Sequence, residues 1–218
     1  QPESLQMKAM VWISICTGCR KYMKRHAGRL VSDEFSHGEA VMGRVCRVIK
    51  SGISIVLWKI RYGDGIRIPI VQNLDRVHLE IYNKGKICIG KRVQNRGDLY
   101  LICDRGGEMR IGSHVFFNAN CSISCMGKVT IGDYCKMGNN LVIVDHDHNY
   151  KNTDGEYLTG EVHIGSRVWI GANCTILKGT SIGDDCVIAA GSVVKGEIPA
   201  GTVLTQKRQD VWKTINIK

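Results

Sequence analysis

The chain has 218 residues, of which 44% are hydrophobic and 23% charged, and its formal net charge is +10. This balance excludes a disordered chain, a collagen-like repeat and a coiled coil, and it fits one globular domain or a small domain with an appendage. Aromatic residues make up only 6% of the chain, which has 25 glycines. Few aromatic residues, many glycines and frequent Val and Ile predict short strands joined by tight turns.

Most of the positive charge lies at the N-terminal end. Residues 1–62 contain 11 Lys and Arg against 4 Asp and Glu, a balance of +7, and the remaining 156 residues contribute +3 (19 basic, 16 acidic). Apolar residues recur at helical spacing from Val41 to Ile60, with basic residues between them. This pattern predicts an amphipathic basic helix that is broken near Ser51 and Gly52.

Three interpretations fit this basic segment. It can lie on an anionic membrane surface, or its charge can attract an acidic polymer. Alternatively, its apolar face packs on the main domain or on a neighbouring subunit, and the Lys and Arg side chains are simply solvated. Nucleic acid is not an expected partner, because no zinc-finger, aromatic-platform or basic-zipper pattern accompanies the charge.

The cysteines and the first residues predict a cytoplasmic protein. Ten cysteines are too few for a disulfide-rich scaffold, and most stand singly in apolar stretches, which is typical of reduced, buried thiols. Residues 1–10 lack the pattern of a secretory signal, and the longest apolar runs are far shorter than the roughly 18 residues of a membrane span. The isolated C-x-x-C at residues 16–19 has no companion ligands at zinc-site spacing, so we interpret it as a coincidence.

The strongest pattern is an aliphatic residue at every sixth position. It runs without a slip from Ile164 to Val194, and two shorter runs precede it at residues 111–123 and 131–143. A period of six suits neither a helix nor one long strand, but it suits a short strand, a corner and a repeat of both. Three such faces close one coil, and stacked coils place parallel strands about 4.8 Å apart with the aliphatic side chains inside.

Two other positions of the repeat are informative. The second position is repeatedly Gly, with Asn or Asp shortly after it, and these residue types predict corners with a positive φ. The fifth position is small and is predicted to face the narrow interior, so its cysteines are interpreted as buried hydrophobes. The glycines are Gly90, Gly112, Gly132, Gly138, Gly165, Gly171 and Gly183, the corner residues are Asn120, Asn140, Asn173 and Asp185, and the cysteines are Cys121, Cys135, Cys174 and Cys186.

In this register, residues 77–204 resemble the hexapeptide-repeat family, including the closing I-A-A-G-S-V-V at 188–194. The resemblance implies an all-β solenoid, a left-handed parallel β-helix with an N-terminal helical appendage, and assembly as a homotrimer with active sites between subunits. The handedness rests on the resemblance alone, since left-handed crossovers break the usual rule. We expect the appendage over residues 1–65, the β-helix over 66–204 with an inserted loop at 144–161, and a tail over 205–218.

The repeat fails between Ile143 and Ile164, whose separation of 21 is not a multiple of six, so a polar segment loops out. With the V-W-I-G at 168–171, this segment resembles the maltose, galactoside and polysaccharide O-acetyltransferases. The resemblance implies that acetyl-CoA donates an acetyl group to a sugar hydroxyl, with His146 as the general base. Imidazole suits that role near neutral pH. Asp145, Asp147 or a backbone carbonyl can fix its tautomer.

The resemblance also implies binding residues, and it implies no metal. The acceptor site is expected to contain Asn118, His148 and Trp169, and Trp169 is also expected beside the pantetheine of acetyl-CoA. The simpler interpretations are a corner residue for Asn118 and interface packing for Trp169. The other residues expected to bind the donor are Gly171, Ala172, Ala190, Lys195, Lys207 and Arg208.

The expected acceptor is a bacterial surface polysaccharide of the capsular, lipopolysaccharide or exopolysaccharide kind, or its precursor, handled in the cytoplasm near the inner membrane. An acidic polysaccharide would suit the basic N-terminal segment, which can also contact the membrane peripherally. One alternative is a free small sugar or amino sugar as acceptor. Two others are a non-catalytic scaffold and a zinc carbonic-anhydrase-like β-helix that uses His146, His148 and His163, although the histidine pair of that family is spaced more widely than His146 and His148.

Overall fold

The computed structural model describes residues 34–151 and 157–207. The chain divides into two compact units, residues 1–43 and 44–218, and only residues 34–43 of the first unit are described. Helix α1 runs over Glu34–Tyr62 and leads through a 3-10 turn at Gly63–Gly65 into the first strand. The C-x-x-C at residues 16–19 and Arg208 lie outside the described residues.

From residue 66 to residue 204 the chain winds as a parallel β-helix of about six turns, so the predicted left-handed β-helix with a helical appendage is confirmed. Within the described residues, its strands form three parallel sheets, which we name A, B and C. In each coil the chain passes through sheet C, then sheet A and then sheet B. Sheet A consists of β1 (Ile66–Arg67), β3 (Lys86–Ile89), β6 (Glu108–Ile111), β9 (Lys128–Ile131), β14 (Val162–Ile164), β17 (Ser181–Ile182) and β20 (Glu197–Ile198). Sheet B consists of β4 (Gln94–Asn95), β7 (Phe116–Phe117), β10 (Lys136–Met137), β15 (Trp169–Ile170), β18 (Val187–Ile188) and β21 (Val203–Leu204). Sheet C consists of β2 (Val77–Ile81), β5 (Leu99–Cys103), β8 (Cys121–Cys125), β11 (Val142–Val144), β16 (Thr175–Ile176) and β19 (Val193–Val194).

The two inward positions of the repeat form the core. The aliphatic first position is buried from Ile111 to Val194, and the fifth position is equally buried from Val115 to Ser192, whereas Ile198 in the last coil is only half-buried. The four cysteines at the fifth position are fully buried, which confirms that they serve as small hydrophobic residues of the core. Their thiols also donate to the next coil, as from Cys135 Sγ to the carbonyl of Gly165 at 3.1 Å.

The second-position glycines have a different function from the predicted one. None of them has a positive φ, so that prediction is wrong. A Cβ added to Gly138 would lie 2.5 Å from the backbone nitrogen of Ala172 in the next coil, so the absence of a side chain lets the coils stack. The positive φ falls two residues later, as predicted for the Asn and Asp corners, but also at His114 and Tyr134, each with φ of 60°.

Helix α1 packs on the first coils through one face. Ile55 is fully buried, and the Tyr62 hydroxyl donates to the carbonyl of Leu79 at 3.0 Å. The predicted break is wrong, because the helix continues through Ser51 and Gly52. Ser51 is buried and its Oγ accepts a hydrogen bond from the Leu74 N–H at 3.4 Å, so these small residues mark a close contact and not a helix end. The helix thus packs on the main domain, but the interpretation that its predicted apolar face makes this contact is wrong, because that face, from Val45 to Ile60, is exposed. Packing of that face on a neighbouring subunit stays a prediction.

Candidate active site

The interruption of the repeat forms an antiparallel hairpin that projects from the corner between sheets C and A. After β11 the chain leaves the coil at Asp145, runs outward as β12 (His146–His148) and returns as β13 (Tyr157–Thr159). His146 pairs with Thr159, and the Asp145 carbonyl accepts a hydrogen bond from the Gly160 N–H at 2.8 Å. Both ends of the hairpin are therefore fixed to the β-helix at its base, and His146 is the first residue of the outgoing strand.

A buried carboxylate contacts the His146 ring. Asp145 is fully buried, and its two side-chain oxygens accept hydrogen bonds from the backbone N–H groups of Met126 and Gly127, each at 2.8 Å. One of these oxygens also lies 2.9 Å from His146 Nδ1. When Nδ1 carries the proton it donates to Asp145, and Nε2 keeps a free lone pair. Asp147, the other acidic alternative, instead pairs with Lys178 at 3.6 Å.

Tyr157 and Arg105 complete the surroundings of His146. The Tyr157 ring meets the His146 ring edge-on, with 5.4 Å between centroids, and lies 4.6 Å from the His148 ring. The Arg105 guanidinium lies 4.7 Å from the centroid of the Tyr157 ring, a cation–π contact. Only 11% of the His146 side chain is exposed. Neither Tyr157 nor Arg105 was identified from the sequence, and no motif there links them to His146.

Other predicted site residues lie at a different corner of the prism. Asn118, Gly171, Ala172 and Ala190 occupy turns between sheets B and C, and 58% of Trp169 is exposed on the outer face of sheet B. Strand β11 separates that corner from His146 in one chain.

Among the basic residues predicted to bind the donor, Lys195 follows sheet C at the same kind of corner as His146. Lys207 follows the last strand, and both lysines are exposed. The structure therefore brings His146 and His148 together, but it does not bring Asn118 or Trp169 to them within one chain.

The three histidines of the carbonic-anhydrase alternative do not converge. His163 lies on sheet A, and its Nδ1 is 2.7 Å from Thr130 Oγ1, whereas His146 and His148 lie on the hairpin. Within the described part of the chain, no group of three or more His, Cys, Asp or Glu residues is arranged to hold a metal ion. The geometry of these histidines gives no support to that alternative.

Comparisons with known proteins match the repeat. Residues 161–196 match the family described as "Bacterial transferase hexapeptide (six repeats)", and residues 109–144 match "Hexapeptide repeat of succinyl-transferase". The chain is 32% identical over 148 residues to "Putative lipopolysaccharide biosynthesis O-acetyl transferase WbbJ" of Escherichia coli (strain K12), covering 62% of this chain and 76% of that protein.

A second relative and a solved structure extend the comparison. The chain is 37% identical over 114 residues to the galactoside O-acetyltransferase of Escherichia coli (strain K12), covering 51% of this chain and 56% of that protein. The crystal structure of the polySia-specific acetyltransferase NeuO superposes with a TM-score of 0.54 at 23% identity, over 63% of this chain and 60% of that one. This last likeness is one of fold.

Proposed function

Since the chain belongs to the hexapeptide-repeat acyltransferase family, we propose that it acetylates a hydroxyl group of a bacterial surface polysaccharide, or of its precursor, with acetyl-CoA as donor. The observation that carries the proposal is the His146 ring at the base of the hairpin, with its Nδ1 2.9 Å from the buried Asp145 carboxylate. A sugar hydroxyl is a weak nucleophile at neutral pH, and a positioned imidazole is the base that activates it.

The chemistry follows from this pair. His146 Nε2 removes the proton of the acceptor hydroxyl while the hydroxyl oxygen attacks the carbonyl carbon of the thioester. Collapse of the tetrahedral intermediate breaks the carbon–sulfur bond, and the proton passes from His146 to the departing sulfur, which yields the acetyl ester and the CoA thiol. Asp145 stabilises the imidazolium that exists between the two transfers. Because the Met126 and Gly127 N–H groups already hold the carboxylate, little reorganisation accompanies the proton transfer.

The complete site forms between two subunits of a homotrimer. One subunit supplies the corner with His146 and His148, and its neighbour supplies the corner with Asn118 and Trp169, which contact the acceptor. A cyclic trimer sets unlike surfaces of adjacent subunits against each other, so it can join two different corners. The separation of these residues on one prism supports this arrangement.

Acetyl-CoA extends along the edge between sheets B and C of the subunit that supplies Trp169. An added Cβ on Gly171 would lie 2.5 Å from the backbone nitrogen of Ala190, and the same distance separates a Cβ on Gly138 from the nitrogen of Ala172. The coils therefore stack closely along an edge of small residues, where an extended pantetheine chain meets little obstruction. The basic residues that we propose for its phosphate groups are Lys207 and Arg208, together with Lys195 of the neighbour that supplies His146, since Lys195 lies at the same kind of corner as His146.

The proposed acceptor and location rest on the relative named for lipopolysaccharide biosynthesis and on the basic N-terminal segment. A balance of +7 over residues 1–62 suits an acidic polymer or the anionic membrane surface at which lipid-linked precursors are handled. The eight described cysteines are free, which suits a reducing compartment. We therefore place the protein in the cytoplasm, in peripheral contact with the inner membrane.

A panel of acceptors tests this function. The purified chain is incubated with acetyl-CoA and capsular, lipopolysaccharide, lipid-linked or monosaccharide acceptors, and acetylated products are detected by mass spectrometry. We expect transfer to polymeric or lipid-linked acceptors in preference to free sugars. Exclusive activity on free monosaccharides or amines would overturn the proposed acceptor class.

Replacing His146 by Ala tests the base. We expect kcat to fall by about 10²- to 10⁴-fold, the usual contribution of a general base. The control is His163→Ala, because His163 is an exposed histidine on sheet A that bonds to Thr130. Its activity should match that of the unmodified chain. A fully active His146→Ala variant would contradict the mechanism and favour a catalytically silent scaffold.

A further inference from the structure

Helix α1 has a second apolar face that its packing on the first coils does not use. At about 100° per residue, Ser51, Ile55, Trp58 and Tyr62 cluster on the packed side, and a second apolar set lies roughly 160° away from them. This set, the apolar stripe, extends over four turns of the helix and its side chains are between 44% and 74% exposed. The apolar stripe consists of Val45, Ile49, Ile53, Val56, Leu57 and Ile60.

Basic residues accompany the apolar stripe without any acidic residue. Residues 44–62 contain five Lys and Arg and no Asp or Glu. Lys50 and Lys59 are exposed, and helical geometry places them about 90° to either side of the stripe. Lysine stems can lie along an apolar boundary while the ammonium groups reach the polar layer beyond it. An apolar face with basic flanks is the pattern of a helix that lies in a membrane interface.

We propose that this face of α1 docks on an anionic lipid surface, with the apolar stripe at the acyl-chain boundary and Lys50 and Lys59 at the headgroup phosphates. The charge decides between this occupant and a second copy of the helix. Two copies of residues 44–62 would set five positive charges against five, with no acidic residue in either segment to compensate. Lipid phosphates neutralise the same charges.

The packing of α1 on the first coils favours a peripheral attachment. Within residues 34–151 and 157–207, no helix is long and apolar enough to cross a membrane. The opposite face of α1 is already occupied, because Ile55 is buried and Tyr62 bonds to Leu79. The helix can therefore rest on lipid with one side while the other stays packed on the first coils. The docking surface rests on the peripheral membrane location proposed above and assigns it to one face of α1, but it stands independently of the acetyl transfer and of the acceptor.

Vesicle sedimentation with the full 218-residue chain tests the proposal, in the absence of acetyl-CoA and acceptor. We expect binding to vesicles of phosphatidylglycerol and phosphatidylethanolamine, little binding to phosphatidylcholine vesicles, and weaker binding as salt is added. The double variant Ile53→Glu/Ile60→Glu should lower the partition into anionic vesicles at least about tenfold, because it places carboxylates in the buried layer. Lys50→Gln/Lys59→Gln should lower it about fivefold for each lysine.

The matched control is the double variant Val193→Glu/Val203→Glu, which adds the same two charges to exposed apolar residues of the C-terminal coils and should bind like the unmodified chain. Circular dichroism checks that each variant folds, and sedimentation velocity measures its assembly. The proposal is overturned if the unmodified chain does not bind anionic vesicles or if the isoleucine variant binds equally well. It is also overturned if that variant loses its oligomeric state, since a second copy would then cover the stripe. A chain that binds vesicles but transfers no acetyl group would contradict only the proposed acetyl transfer.

Discussion

In the proposed mechanism Asp145 is a positioning residue, since its carboxylate contacts His146 Nδ1 and not the reacting atoms. Asparagine has nearly the same shape, but its amide group cannot accept hydrogen bonds from Met126, Gly127 and His146 as two carboxylate oxygens do. We expect Asp145→Asn to lower kcat by about 10²-fold or more, because the imidazolium loses its counter-charge and its tautomer is no longer fixed. The KM for acetyl-CoA should change little, and steady-state kinetics give both values.

The control for this prediction is Asp147→Asn. Asp147 is exposed and pairs with Lys178 at 3.6 Å, without contact to the His146 ring among its described interactions. Its kcat should remain within about twofold of the original value, since surface ion pairs contribute little. Equal losses of kcat in the two variants would contradict the assignment of Asp145.

The buried thiols link stability to alkaline pH. Burial raises the pKa of Cys135 from 9.0 to about 11, because the thiolate is poorly solvated inside the prism. The protonated thiol is therefore favoured in the folded chain, so its stabilising contribution is complete below about pH 9 and is lost as pH rises through about 11. Serine fits the same repeat position at Ser192, where its hydroxyl donates to the Ala189 carbonyl at 2.6 Å.

We expect Cys135→Ser to reduce the fall in the free energy of unfolding between pH 8 and 11 by about 2 kcal/mol. Urea denaturation under reducing conditions at several pH values measures this difference. Cys88→Ser is the control for the same chemical change at an exposed residue. If the free energy of unfolding falls equally with pH in Cys135→Ser and in the unmodified chain, the proposed effect of burial on the Cys135 thiol is contradicted.

At the scale of elements, the two faces of α1 differ in their contribution to stability. Ile55 is fully buried against the first coils, whereas Ile53 is 49% exposed on the same helix. Ile55→Ala should lower the free energy of unfolding by about 2–4 kcal/mol, the usual cost of a cavity left by a large aliphatic side chain. Ile53→Ala, with the same chemical change, should cost less than about 1 kcal/mol. Chemical denaturation measures both, and equal losses would contradict the packing of the helix.

These two isoleucines also show what sequence patterning can predict. The spacing of apolar residues predicts the helix, but residues 44–62 are apolar on both sides, so spacing cannot tell which side meets the β-helix. The second-position glycines have a similar ambiguity, because left-handed backbone and close packing both favour glycine. Only the backbone conformation and contacts in the structure distinguish the two causes. At Gly138 the cause is close packing, because the backbone nitrogen of Ala172 in the next coil lies too near for a Cβ atom.

The repeat itself is predictable because the same packing constraint acts on the residues of every coil. A narrow interior accepts only aliphatic and small side chains at two positions in six, so the period, the coils and the buried cysteines follow from the sequence. The failure of that period locates the hairpin and His146. The partners of Asp145 and of Tyr157 lie in earlier coils, at Met126 and Arg105, and the register alone does not show that their side chains reach the hairpin.

At the scale of the molecule, the proposed site needs His146 from one subunit and Trp169 from its neighbour. Activity measurements on mixed trimers can therefore test how the subunits assemble. His146→Ala removes the base from the corner between sheets C and A, and Trp169→Ala removes the proposed contact from sheet B. Each variant alone should have little activity, because every site lacks one of the two groups. Co-expression with two different affinity tags, followed by purification on both, isolates trimers that contain both variants.

In a trimer of mixed composition, a Trp169→Ala subunit still has His146, and a His146→Ala subunit still has Trp169. A site is therefore intact only where the first kind of subunit supplies the His146 corner and the second kind, as its neighbour, supplies the Trp169 corner. Both possible compositions, two to one and one to two, contain one such junction among three, so the mixed trimers should recover about one third of the unmodified activity. Sites confined to single subunits would give no recovery, because each subunit carries one lesion. Recovery of activity would therefore show that neighbouring subunits supply the two corners, and its absence would contradict the intersubunit site while leaving the Asp145–His146 pair in place.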